Sequence, residues 1–138
     1  MSLELFQCMP HEIDRAWREG AHKLSDACKW ASREITPDQL KMLLARGERT
    51  LIGARDNGEV KGWAAVHVLQ LPNCRVLHIY SMCGKGICSF DGLKLLKEHA
   101  QASGCSGIRG CVRPSMERLM RRFGGKTLYT TCEIEVFA

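Results

Sequence analysis

One stretch constrains this chain more than any other: Arg75 to Ser103, reading RVLHIYSMCGKGICSFDGLKLLKEHAQAS. Its opening, Arg75 to Met82, is a continuous apolar and β-branched-rich run of strand length, which predicts a strand covered on both faces. Gly84 and Gly86 then interrupt it, with Lys85 between them. From Ser89 the period changes. Phe90, Leu93, Leu96 and Ala100 recur on one face, and Asp91, Lys94, Lys97, Glu98 and Gln101 take the other, which predicts an amphipathic helix that Gly104 stops.

Strand, glycine turn and helix in that order bring backbone N–H groups to a helix N-terminus, where the dipole favours an anion. A phosphate-bearing ligand is the expectation. The plainer reading has the same signature: two glycines supplying the positive φ of a tight turn.

The whole chain narrows the choice. Its 138 residues make one domain, 1–138, long enough to bury about two-thirds of the surface the unfolded chain would expose. No apolar run approaches the roughly 20 residues that span a bilayer, so no membrane segment is expected. The opening MSLELFQCMPHEIDRAW has an acidic residue near its start and no apolar core of a secretory signal, which predicts a cytoplasmic location. Eight cysteines form no C-x-x-C pair and no zinc-spaced set with histidine; they read as reduced thiols, and no metal is expected. Cys83 and Cys88 flank the glycine turn, where a helix N-terminus would favour thiolate, although filling space is the duller and preferred account. The net charge is +5, and Arg113, Arg118, Arg121, Arg122 and Lys126 crowd one segment. That cluster suits a phosphate-rich partner or a solvated helix face. Without any nucleic-acid recognition motif, a small anionic ligand ranks above nucleic acid.

Taken in order, Leu3 to Met9 predicts an opening strand ended by Pro10. Ile13, Ala16, Trp17 and Leu24 fall at helical spacing interrupted by Gly20, as one broken helix or two short ones. Ser25 to Ile35 is mixed, with Trp30 covering the core edge. Thr36, Pro37 and Gln39 form a helix start with a capping box, and Leu40, Leu43 and Leu44 supply its buried stripe. Thr50 to Arg55 and Val60 to Leu71 are two strands joined at Asp56-Asn57-Gly58-Glu59. Ala64-Ala65 marks either a close helix approach or a bulge. After the central helix, Gly107 to Val112 predicts a strand parallel to the one before it, since a helical crossover connects them. Pro114 opens a helix carrying Met116, Leu119, Met120 and Phe123, ended by Gly124-Gly125. Thr127 to Phe137 alternates as a half-exposed closing strand.

Strand, two helices, three antiparallel strands, glycine turn, helix, strand, helix, strand: this order resembles the GNAT superfamily of acyl-CoA N-acyltransferases over nearly the whole chain. The resemblance implies an α/β fold with a mixed sheet whose fourth and fifth strands are parallel and splay apart. In the family, a Q/R-x-x-G-x-G/A turn after the fourth strand holds the coenzyme A pyrophosphate on its amides. Ser81-Met82-Cys83-Gly84-Lys85-Gly86 is similar, with Ser81 in place of Gln or Arg. A later Asn, Tyr and Gly-Phe pattern falls on Arg113, Met120 and Gly124-Gly125. Met120 thus stands where the family has a tyrosine that protonates the departing thiolate, which a thioether cannot do. The short, divergent form is similar to phage and prophage versions.

The resemblance implies acetyl-CoA as cosubstrate and an amine as acceptor, with Met82, Cys83, Gly84, Lys85, Gly86, Ile87 and Arg113 binding the cofactor and Arg121 as a further phosphate contact. His78, with His67 behind it, is the candidate base, and Tyr80 or Tyr129 would stand in for the missing acid. Glu133 and Glu135 read as a solvated face. Three functions stay open: an N-acyltransferase; a noncatalytic protein of the same fold that binds a protein partner or a second copy of itself, as in a virion or its assembly; and, last, a basic nucleic-acid-binding domain.

Overall fold

The computed structural model describes residues 2–29 and 34–137; Trp30 lies outside them. A five-stranded sheet runs in the order β1 (Leu3–Cys8), β2 (Thr50–Asp56), β3 (Glu59–Gln70), β4 (Arg75–Cys83), β5 (Gly107–Gly110). The first four pair antiparallel with their neighbours, and β4 pairs parallel with β5. Between β2 and β3 the turn places Asn57 at φ 52° and Gly58 at φ 81°. Two successive positive φ angles match the right-handed twist of paired strands, which is why Asn-Gly marks a tight hairpin.

Helices cover both faces. Between β1 and β2, α1 (Ile13–Glu19) gives way at Gly20, with φ 139°, to a 3₁₀ turn and the short α2 (Ser25–Cys28). Then α3 (Pro37–Ala45) starts on the expected box: the Thr36 hydroxyl accepts from the Gln39 amide at 3.3 Å, and the Thr36 amide donates to Gln39 Oε1 at 2.9 Å. Two of the four orphan donors of a helix start are thereby satisfied. Ile13, Leu24, Leu40 and Leu44 from this layer bury against Leu51, Trp63 and Ala65 of the sheet. On the other face α4 (Phe90–Ala102) and α5 (Pro114–Arg122) pack Leu93, Leu96, Leu119 and Met120 against Ile52, Ala64, Leu77 and Ile79.

Ile87, fully buried, pins the turn after β4 to this second layer. It can do so because Gly62 and Gly92 carry no side chain: a Cβ on Gly62 would sit 2.8 Å from Ile87 Cγ2, and one on Gly92 would enter the Ile87 backbone.

The predicted closing strand does not form. Residues 127–137 carry no helix or strand and are exposed throughout. The cause is local. Gly124, at φ 97°, turns the chain out of α5, and Thr127 Oγ1 accepts from Arg121 Nη2 at 2.6 Å and donates to Glu117 Oε2 at 3.2 Å. Those bonds hold the start of the segment on the polar side of α5. Alternation encodes a strand's two faces, but a strand also needs a neighbour's edge, which no local pattern specifies.

Candidate active site at the fork between the fourth and fifth strands

Pairing between β4 and β5 covers four residue pairs, from Val76 with Gly107 to Ile79 with Gly110. Beyond that point β4 continues for four more residues, Tyr80 to Cys83, while the other chain leaves the sheet toward α5. The strands fork there. On its other side β4 is irregular at the same place: Ser81 lies opposite Ala65 and Ile79 opposite Val66, so the register skips Tyr80. An extra residue in one strand loses its ladder partners and bends the strand. Tyr80 therefore has no register partner on either side, and its peptide groups are the ones a ligand could meet.

The bulge also changes which side chains share a face. Strict alternation would put Tyr80 and Ser81 on opposite sides. With the skip, Ser81 lies across from Ala65, which packs under α1 to α3, and Tyr80 packs against that same layer. His78, opposite His67 and beside Arg109, belongs to this face too. The rings of His78 and Tyr80 meet edge to face at 4.6 Å, and the Arg49 guanidinium lies over the Tyr80 ring at 3.6 Å. Burial, then the charges of Arg109 and Arg49, hold the His78 imidazole below its ordinary pKa, so it is neutral near pH 7. Buried His78 Nδ1 and Ser81 Oγ have no hydrogen-bond partner among the described residues. Unpaired buried polar atoms are rare in folded proteins and mark places where a ligand or water completes the bonding. Arg49 and Arg109 are the members of this cluster that the sequence did not single out, since both lie in sequence contexts without a motif.

At the end of β4 the glycine turn is more committed than the sequence implied. Gly86 N donates to the Lys61 carbonyl at 3.0 Å, Ile87 N to Gly84 O at 3.3 Å and Cys88 N to Gly84 O at 3.0 Å. Of the expected amide donors, Gly86 and Ile87 are thus turned inward. The physical reason is the close approach of the turn to the start of β3: a Cβ on Gly84 would lie 2.5 Å from the Lys61 carbonyl oxygen and one on Gly86 2.9 Å from it. The amide of exposed Lys85 takes no part in these bonds. At the start of α4 the Ser89 hydroxyl accepts from Gly92 N at 3.0 Å and donates to Gly86 O at 3.1 Å, which leaves the Phe90 and Asp91 amides at the mouth of the helix.

Cys83 and Cys88 follow the duller account. Burial pushes the Cys83 thiol up to about 11 and raises that of Cys88, against which the Arg113 charge pulls only partly back. Arg113, the residue before α5, is near enough for its charge to be felt at Cys88. Met82 packs against the α4 and α5 layer, as does Met120 from α5, and Phe90 meets Phe123 edge to face at 5.0 Å. The structure brings His78, Tyr80 and Ser81 onto one face, and Met82 to Ile87 follow at the end of β4 and in its turn. Tyr129, Glu133 and Glu135 sit in the exposed terminal segment.

No family model matches the chain, and no curated protein matches its sequence. Solved structures do. A ribosomal-protein-alanine N-acetyltransferase from Brucella melitensis biovar Abortus 2308 superposes with a TM-score of 0.69 at 15% identity, covering 97% of this chain and 99% of that one. A possible acetyltransferase from Clostridium difficile 630 gives 0.67 at 16% identity, with both chains covered completely. An aminoglycoside acetyltransferase from an uncultured soil metagenomic sample gives 0.65 at 21% identity, with 99% of each chain covered. Likeness at such identities establishes the fold, which is the mixed α/β sheet of the GNAT acetyltransferases. No helix is long and apolar enough to cross a membrane among the described residues.

Proposed function

We propose that this chain is an acyl-CoA-dependent N-acyltransferase that moves an acetyl group from acetyl-CoA to a primary amine. The observation that carries the reading is the parting of β4 from β5 beyond Ile79 and Gly110, with Tyr80 unpaired at the crotch. The amide-rich arm of coenzyme A can bond to such a gap as an added strand would. The thioester carbonyl then lies against a strand amide at the bulge, where a donor stabilises the oxyanion formed on attack. At the mouth, the Lys85 amide and charge, the first amides of α4 and the Arg113 guanidinium supply positive partners for phosphate. Met82 and Cys83 line the approach, and Gly84 and Gly86 shape the turn.

His78 is the candidate base. A base must be deprotonated before it acts, and the environment keeps this imidazole neutral with a buried Nδ1 that has no partner among the described residues. Tyr80, in ring contact with it, is the candidate acid for the leaving thiolate. Unfolding of the protein followed with rising acetyl-CoA tests binding: saturation at about 100 times the dissociation constant adds roughly 2.7 kcal/mol of stability. No thermal stabilisation and no heat of binding at millimolar acetyl-CoA would end this reading.

A second reading, a noncatalytic interaction protein built on the same fold, is favoured by two observations. The Gly86 and Ile87 amides are spent inside the turn, and Met120 occupies the family's tyrosine position as a packing residue. It predicts a stable protein complex and no release of coenzyme A from acetyl-CoA with any amine.

A further inference from the structure

Across the sheet, just short of the bulge, runs a row of basic side chains. Arg109 on β5 and His67 on β3 both stand opposite His78, and directly paired residues of neighbouring strands share a face. Arg49, the residue before β2, joins them with its guanidinium 3.6 Å from the centre of the Tyr80 ring. The charges that reach His78 are those of Arg109 and Arg49, and no carboxylate balances them there. Neither guanidinium forms an ion pair among the described residues, whereas cations elsewhere do, Arg15 with Glu12 and Lys41 with Asp14 among them.

Two like charges that converge on a half-buried neutral ring repel each other, and an anion between them reverses the sign of that interaction. The same face holds two buried polar atoms without a partner among the described residues, His78 Nδ1 and Ser81 Oγ. A guanidinium presents parallel N–H donors that match a carboxylate or a phosphate, and a serine hydroxyl adds another donor. The charge and the open donors are those an oxyanion uses, and an amine without one would leave them unmet. Spacing narrows the ligand further. Arg109 is one strand from His78, a separation of about 4.8 Å between backbones, so an amine at His78 would carry its anionic group only a few bonds from the nitrogen.

We infer that the acceptor is a small amine that also bears a carboxylate or a phosphate, held by Arg109 and Arg49 with its nitrogen toward His78. The inference rests on acyl transfer at the fork, as proposed above. In that step the lone pair of the neutral amine attacks the acetyl carbon, the C–N bond forms and the C–S bond breaks. The nitrogen's proton goes to His78, the Tyr80 hydroxyl proton goes to the departing sulfur, and a proton then returns from the imidazolium to the phenolate.

Calorimetry of the full chain, with and without coenzyme A, tests it by comparing β-alanine, O-phosphoethanolamine and propylamine, amines on similar short chains. At least one anionic amine is expected to bind at least about tenfold more tightly than propylamine, and which one does so separates carboxylate from phosphate. Arg109→Gln should remove the preference with circular dichroism and coenzyme A affinity unchanged. Arg109→Lys, which keeps the charge and loses the paired donors, should retain part of it. Equal affinities, no binding of any of the three at millimolar concentration, or a preference that survives Arg109→Gln overturns the inference. Coenzyme A binding without preference for the anionic amines overturns the acceptor assignment alone and leaves acyl transfer standing. Anion preference without coenzyme A binding gives the opposite pattern: it overturns acyl transfer, and the acceptor role falls with it.

Discussion

The amide of Gly86 donates to the carbonyl of Lys61 at 3.0 Å, joining the glycine turn to the first residues of β3. This bond gives the turn's glycines a packing role. Gly84 combines φ 94° with a Cβ position 2.5 Å from the same carbonyl. Gly84→Ala should therefore cost about 2–4 kcal/mol, since a left-handed backbone and a backbone clash act together. Urea unfolding measures it. A loss below about 0.5 kcal/mol would show the turn to be loosely held.

Ile87 is a plug more than a ligand contact. It is fully buried between positions that only glycine allows, so Ile87→Ala should destabilise by about 2–4 kcal/mol and Ile87→Val by about 1 kcal/mol. Equal, small effects of the two substitutions in chemical denaturation would contradict the packing described.

Stability should fall in mild acid. The folded-state pKa of His78 lies below the ordinary value of 6.5, so the unfolded chain takes up this proton first as pH falls. Its contribution is constant above about pH 7 and is lost as pH drops through 6.5 toward the folded value, below which it levels off. Melting temperatures across this range should show a slope that His78→Gln flattens. An unchanged slope in the variant would assign the dependence elsewhere.

Cys83 should be unreactive. With its thiol raised from 9.0 to about 11, its thiolate fraction at neutral pH is about a hundredfold below that of an ordinary cysteine. Alkylation at pH 7.5 followed by peptide mass spectrometry should mark exposed Cys74 quickly, and Cys83 and Cys88 slowly. Labelling of Cys83 as fast as Cys74 would show the end of β4 to be open.

If the acyl-transfer reading holds, Tyr80→Phe keeps the ring between Arg49 and His78 while removing the phenol. Turnover should fall by about 10²–10⁴ with acetyl-CoA affinity nearly unchanged. A parallel loss of affinity and turnover would mean the hydroxyl positions ligand and does not transfer a proton.

Much of the fold could be read from order and period. The β2–β3 hairpin is written in Asn57-Gly58, the α3 start in Thr36, Pro37 and Gln39, and the parallel β4–β5 pair in the helix that separates them. These are short-range encodings, in which the residues that specify the geometry are the ones that adopt it. The candidate site was legible in part: His78, Tyr80 and the glycines could be named from their places on β4 and its turn.

What only the tertiary structure decided involves partners distant in sequence. The bulge at Tyr80 depends on β3 register, and it alone brings Ser81 onto the face of His78. Arg49 and Arg109 join that face from a loop and another strand. The Lys61 carbonyl takes up an amide that the glycine pattern had suggested for phosphate. The terminal segment makes the same point in reverse, because its alternation specifies a strand with a wet and a dry side. Hydrogen bonding to a second strand is a relation between two segments, and residues 127–137 carry only one half of it.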